Sequence, residues 1–129
     1  MQAQTDNVLQ SINAQLGNLF KTSGQAMYAY VDDRRKVCNR RMADLLGYAS
    51  PEAWAAVTTS FPEAFVQPDS QETLVEAYQD AIQHGVGCAI PITWKRKDGK
   101  EVDTDVVLVP LDFGGQRVAL HFIEPVAEE

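Results

Sequence analysis

Cys88-Ala89-Ile90-Pro91-Ile92-Thr93-Trp94-Lys95, followed by Arg96-Lys97-Asp98-Gly99-Lys100, is the stretch on which the fold turns. Cys88, Ile90, Ile92 and Trp94 fall on one side of an extended chain, and Ala89, Pro91, Thr93 and Lys95 on the other. Period-two alternation of this kind marks a strand with one buried face. Asp98-Gly99 between two extended runs predicts a hairpin. A type I′ turn needs positive φ at both central residues, which Asp and Gly tolerate best. Residues 102–111 are the second strand, Phe113-Gly114-Gly115-Gln116 the second turn, and 117–124 the third strand. The result is an antiparallel meander.

The meander is apolar on both sides. Val106 to Val109 is an unbroken apolar run. In the third strand Val118, Leu120 and Phe122 face one way, while Ala119, His121 and Ile123 face the other. A sheet apolar on both faces is covered on both. One cover is expected from the middle of the chain, the other from the N-terminus or a second subunit.

The 129 residues suggest one domain with an adequate core. No run approaches the ~18 apolar residues of a membrane span, and the polar start Met1-Gln2-Ala3-Gln4 lacks the pattern of a signal peptide. A cytoplasmic protein is expected. Cys38 and Cys88 read as free thiols; with two separated histidines they make no zinc signature. A net charge of −7 argues against a nucleic-acid partner. Arg34, Arg35, Lys36, Arg40 and Arg41 form one basic cluster, and Lys95, Arg96, Lys97 and Lys100 another. Both read as solvated hairpin ends, against the alternative of a docking patch for an acidic partner.

Taken in order, Val8, Leu9, Ile12, Leu16, Leu19 and Phe20 recur at helical spacing. This amphipathic helix stops near Ser23-Gly24. Its stripe covers the second sheet face, pairs with its copy in a homodimer, or does both. Residues 26–31 and 36–38 are short strands about a turn at Asp32-Asp33-Arg34-Arg35. Asn39 caps a helix over 40–46 that ends at Gly47. Ser50-Pro51-Glu52 opens another, with Ser as cap and Pro in the first turn. Residues 58–67 read as irregular. Asp69 with Glu72 resembles a capping box opening a helix to about His84. Strands at the ends and helices in the middle give an α+β fold on one antiparallel sheet. The expected division is an N-terminal helix over 1–24, a domain over 25–126 and a tail over 127–129.

The chain resembles a PAS domain, the sensory-box family, over roughly residues 26–125. The resemblance is carried by Asn39 before a short helix ending Leu46-Gly47-Tyr48, by Phe65-Val66-Gln67-Pro68-Asp69 before the long helix, by the Lys95-Arg96-Lys97-Asp98-Gly99 turn, and by Val109-Pro110-Leu111. It implies a five-stranded antiparallel sheet in order 2-1-5-4-3, with short helices and a small cavity on one face. It also puts the two basic clusters at opposite ends of the sheet. The expected cavity lining is Tyr28, Trp54, Phe65, Leu74 and Tyr78 from the helical side and first strand. Ile92, Trp94, Leu108, Leu120 and Phe122 complete it from the sheet. His121, on the other side of its strand, is expected to point away, toward the first helix or a dimer partner.

Fold does not fix chemistry in such a family, so each cofactor is tested on residues. Flavin-adduct light sensing needs a cysteine in the middle helices, and 58–69 has none. A chromophore thioester near the start of the long helix fails on the same ground. For haem the one axial candidate is His84, in a last helical turn where a cation suits the dipole. Non-covalent flavin would stack on Tyr28, Trp54, Tyr78 or Trp94, yet aromatics at such spacing are commonly plain core. The expectation is no resident cofactor, with flavin, haem and a small apolar or aromatic metabolite as alternatives.

No nucleophile elbow, phosphate loop or zinc-protease motif is present in the sequence. Asp103 and Asp105 share a strand face, and paired carboxylates can do acid–base work. A small isomerase-like enzyme with an apolar pocket is therefore the alternative to a non-enzymatic sensory or interaction module. Glu124-Pro125-Val126 stands where sensory relatives carry an Asp-Ile-Thr-like triplet leading into an output, and Pro125 disfavours helical continuation. If Glu129 ends the protein, signalling must pass through a protein partner; if not, an output domain lies beyond.

Overall fold

The computed structural model describes residues 2–113 and 115–126, with side chains from Val8 onward. Met1, Gly114 and the expected tail at 127–129 lie outside the described residues. The elements are α1 (Gln2–Thr22), β1 (Ala26–Asp32), β2 (Arg35–Cys38), α2 (Arg40–Leu45), α3 (Pro51–Ala55), α4 (Phe61–Phe65), α5 (Pro68–His84), β3 (Cys88–Lys95), β4 (Glu101–Phe113) and β5 (Gln116–Pro125). All five strands join one antiparallel sheet in order β2-β1-β5-β4-β3.

Local chemistry explains most boundaries. Asn39 Oδ1 accepts from the backbone N–H of Met42 at 3.0 Å and of Met27 at 3.1 Å, while its Nδ2 donates to the Gln25 carbonyl at 2.8 Å. One side chain thus caps α2 and ties it to β1. Ser50 Oγ accepts from Ala53 N at 3.0 Å, with Pro51 in the first turn of α3. Gly85 ends α5 at φ +66°, the left-handed position that glycine adopts without strain.

Three boundaries depart from the expected ones. Residues 58–67 are not wholly irregular, because α4 forms one turn around Pro62. The start of α5 is not a capping box at Asp69. Pro68 occupies the first turn after Gln67, and no side chain caps it. The β3–β4 turn is not type I′ either. No residue but glycine has positive φ among those described. Gly99 N donates to Arg96 O at 2.9 Å and Arg96 N to Lys100 O at 2.8 Å, a three-residue loop with Gly99 alone at φ +88°.

The sheet has two differently built faces. On one, helices α2 to α5 enclose Tyr28, Trp54, Phe61, Phe65, Ile92, Trp94, Val106, Leu108 and Ile123. On the other, Val8 and Ile12 of α1 pack on Met27, Ala29, Phe113, Val118 and Leu120. The α1 stripe therefore covers its own sheet, but only in part. Val107 stays 42 % exposed on the outer face, and Leu19 of α1 is 41 % exposed.

Candidate functional site

A cavity of about 240 Å³ lies between the sheet and α5, lined by Tyr28, Tyr30, Phe61, Pro62, Leu74, Val75, Tyr78, Gln79 and His121. Its walls are aromatic. Tyr30 meets Phe61 edge-on at 5.1 Å and Tyr78 at 5.2 Å, and Tyr28 packs on Phe61 at 5.4 Å. The Tyr30 hydroxyl donates to Asp33 Oδ1 at 2.8 Å; the same oxygen accepts from Phe61 N at 3.0 Å, fixing α4 at the cavity wall.

Of the expected lining, Tyr28, Leu74 and Tyr78 meet at this cavity. Trp54, Phe65, Ile92, Trp94 and Leu108 are buried in the core of the same sheet face without reaching the cavity wall. Leu120 and Phe122 are corrected. They belong to the opposite face, where Leu120 is buried with Val8 and Ile12 and Phe122 packs against that cluster. The alternation along β5 accordingly turns His121 into the cavity, not away from it.

His121 is the residue that sequence reasoning misplaced. Its ring stacks on Tyr28 with centroids 4.0 Å apart and planes 11° from parallel. Its Nδ1 lies 3.1 Å from the Ala119 carbonyl. A carbonyl only accepts, so the proton sits on Nδ1 and Nε2 carries the free lone pair. Burial pushes the His121 pKa down to about 3, while the Ala119 and Tyr28 backbone pulls weakly the other way. The imidazole is neutral across the physiological range. Burial likewise drives the Tyr28 hydroxyl well above its ordinary pKa, with Tyr30 and Tyr78 adding to the effect.

A second buried polar group braces the helices. Lys36, 3 % exposed, donates through Nζ to the carbonyls of Asp33 at 2.8 Å and Ala55 at 3.3 Å and to that of Val57. The ammonium sits 5.4 Å from the centre of the Trp54 ring. Burial lowers its pKa, and Asp33 and Asp32 oppose that. Within the other basic cluster, Arg96 donates to the Leu45 carbonyl and Lys97 stands over Tyr48 at 5.6 Å. Several of these cations therefore hold backbone and ring surfaces instead of being solvated hairpin ends.

The remaining candidates lie elsewhere. His84 is exposed in the last turn of α5. Asp103 and Asp105 are exposed on the outer sheet face, and Asp103 accepts from Thr93 Oγ1 at 2.7 Å. Cys38 and Cys88 are free, with burial pushing the Cys38 thiol up to about 12. No group of three or more metal-ligating side chains occurs among the described residues. No described helix is long and apolar enough to cross a membrane.

No protein-family model matches the sequence, and no curated protein matches it. Solved structures do. A PAS domain from Colwellia psychrerythraea superposes with a TM-score of 0.68 at 19 % identity, over 89 % of this chain and 97 % of that one. The chain has the PAS fold. A PAS domain of a LuxR-family transcriptional regulator from Burkholderia thailandensis, in complex with ethanol, matches with a TM-score of 0.61 at 21 % identity, over 85 % of this chain and 96 % of that one. A light-oxygen-voltage domain studied with a flavin analogue matches with a TM-score of 0.67 at 20 % identity, over 91 % of this chain and 88 % of that one.

Proposed function

We propose that this PAS-fold chain is a non-enzymatic sensory module in signalling. It binds a small molecule in the β-sheet–α5 cavity and passes the occupancy to an α1-based homodimer contact, and from there to a protein partner or output domain. The observation that carries this reading is the alternation along β5. His121 lines the cavity, while its neighbours Leu120 and Phe122 pack against the α1 side. A ligand that displaces the β5 backbone at His121 displaces Leu120 and Phe122 on the α1 side with it. The outward surface of α1 and the uncovered Val107 supply apolar area for a second copy.

Size bears on the occupant. Ligand pockets commonly span about 300–1,000 Å³, and an apolar cavity of about 150 Å³ holds benzene. At about 240 Å³ this one suits one or two rings. The three-ring head of a flavin and a porphyrin exceed it, and neither is taken as the occupant. The isomerase-like alternative loses its base, since Asp103 and Asp105 face away from the cavity.

Titration with phenol followed by amide NMR tests the reading. We expect shifts at Tyr28, Tyr78 and His121 and also at Leu120, Phe122 and α1. In Val75→Trp, which fills the cavity, those shifts disappear. Shifts that survive Val75→Trp, or that spare α1, would overturn it.

A further inference from the structure

Resting on the reading of the cavity as a ligand site, we infer that its occupant is a neutral, one- or two-ring molecule that donates a hydrogen bond to His121 Nε2. Three observations on the wall lead there. His121 is 2 % exposed and lines the cavity, its Nδ1 is committed to the Ala119 carbonyl, and Nε2 is the ring nitrogen left to accept. A donor in the cavity satisfies that remaining acceptor. The stack on Tyr28 at 4.0 Å fixes the ring plane, so the acceptor is pre-aimed. The lining contains no Lys, Arg, Asp or Glu, and the Asp33 carboxylate behind it already accepts from the Tyr30 hydroxyl and Phe61 N, so an ionised occupant would lose its hydration for little countercharge. The facing Tyr30, Phe61 and Tyr78 rings favour a flat molecule over a chain. The Tyr28 hydroxyl, without a partner among the described residues, gives or takes a second hydrogen bond.

A matched pair of probes separates the donor from the shape. Indole and benzofuran have the same bicyclic outline, and only indole carries an N–H. Calorimetric titration of the full chain should show indole binding about tenfold more tightly, as one hydrogen bond to a buried acceptor predicts. Imidazole ¹⁵N spectra should show the Nε2 resonance of His121 moving with indole and not with benzofuran, while His84 stays still. His121→Phe keeps the stack and should bring the two affinities together. Equal affinity in the unaltered chain, or a preference for indole that persists in His121→Phe, overturns the donor assignment and leaves the cavity reading intact. Failure of both probes to bind at millimolar concentration overturns the cavity reading itself, and this inference with it.

Discussion

The two faces of the sheet bury similar kinds of residue and do different work. The inner face is closed by α2 to α5 and carries a network of rings: Phe61 on Phe65 at 4.9 Å, Trp54 on Phe65 at 5.4 Å, Tyr28 edge-on to Trp94 at 5.9 Å. The outer face has one helix, α1, seated on β1, β2, β5 and the Phe113 end of β4. The β3–β4 side, with Ala89, Pro91 and Val107, is left open. An enclosed face gives stability and a bounded cavity. A half-covered face contributes less to stability and leaves surface for association. Substitutions on the two faces should therefore separate folding from assembly.

The sharpest break is at Trp54. It is fully buried, and its Nε1 has no hydrogen-bond partner among the described residues. Trp54→Ala should lower the unfolding free energy by about 4 kcal/mol in urea titration, the range for a large core aromatic. Trp54→Phe keeps most of the packing and removes an unpaired donor, so it should fall within about 1 kcal/mol of the original. A loss in Trp54→Phe close to that of Trp54→Ala would mean the N–H has a partner after all. Lys36→Met comes next. It preserves the aliphatic stem but strips the donor from three carbonyls, at a cost of about 3 kcal/mol. Hydrogen exchange should quicken first around α3 and Val57.

Much of this inner face could be read from the chain. The alternation in 88–95, the Asn39 and Ser50 caps, and Gly85 each have one physical solution, and the structure adopts it. The readings that failed had weaker signals. A one-turn α4 with proline in it shows no helical period. Pro68 takes the first turn in place of an Asp69 cap because a residue without an N–H suits that position. The facing of His121 is implicit in the pairing of its strand. The expected Gly114-Gly115 turn pairs Phe113 with Gln116 and hence, counting back, Leu108 with His121. Placing Leu108 on the inner face already placed His121 beside it. Both sides of β5 are apolar, so alternation alone named the two sets without saying which one looked inward.

The third test concerns pH. His121 titrates at about 3 in the fold and near 6.5 when unfolded. Between those values the unfolded chain holds a proton that the folded chain does not. Stability from this residue is complete above about 6.5 and declines as pH falls, by up to about 1.4 kcal/mol per unit. From pH 6.5 to 5, before most carboxylates titrate, the loss should be about 1.6 kcal/mol. In His121→Phe this slope should vanish. A slope that persists there would assign the effect to groups other than the cavity histidine.

The smallest effect on folding should be the largest on assembly. Val8 and Ile12 are buried against the sheet of their own subunit, so charging them would loosen α1 and confuse the two readouts. Leu19 and Val107 are the discriminating pair, both large apolar side chains about two-fifths exposed on the α1 side. Exposed substitutions away from caps and cores change stability by about 0.5 kcal/mol or less. Leu19→Asp with Val107→Asp should therefore leave the urea midpoint nearly unchanged. In a dimer that meets through this face, two added charges per subunit are brought together and desolvated, and sedimentation should show a shift to monomer at micromolar concentration. An unchanged sedimentation coefficient with an unchanged midpoint would remove the outer face from the proposed signalling route. Cavity occupancy would then have to leave the domain by another surface.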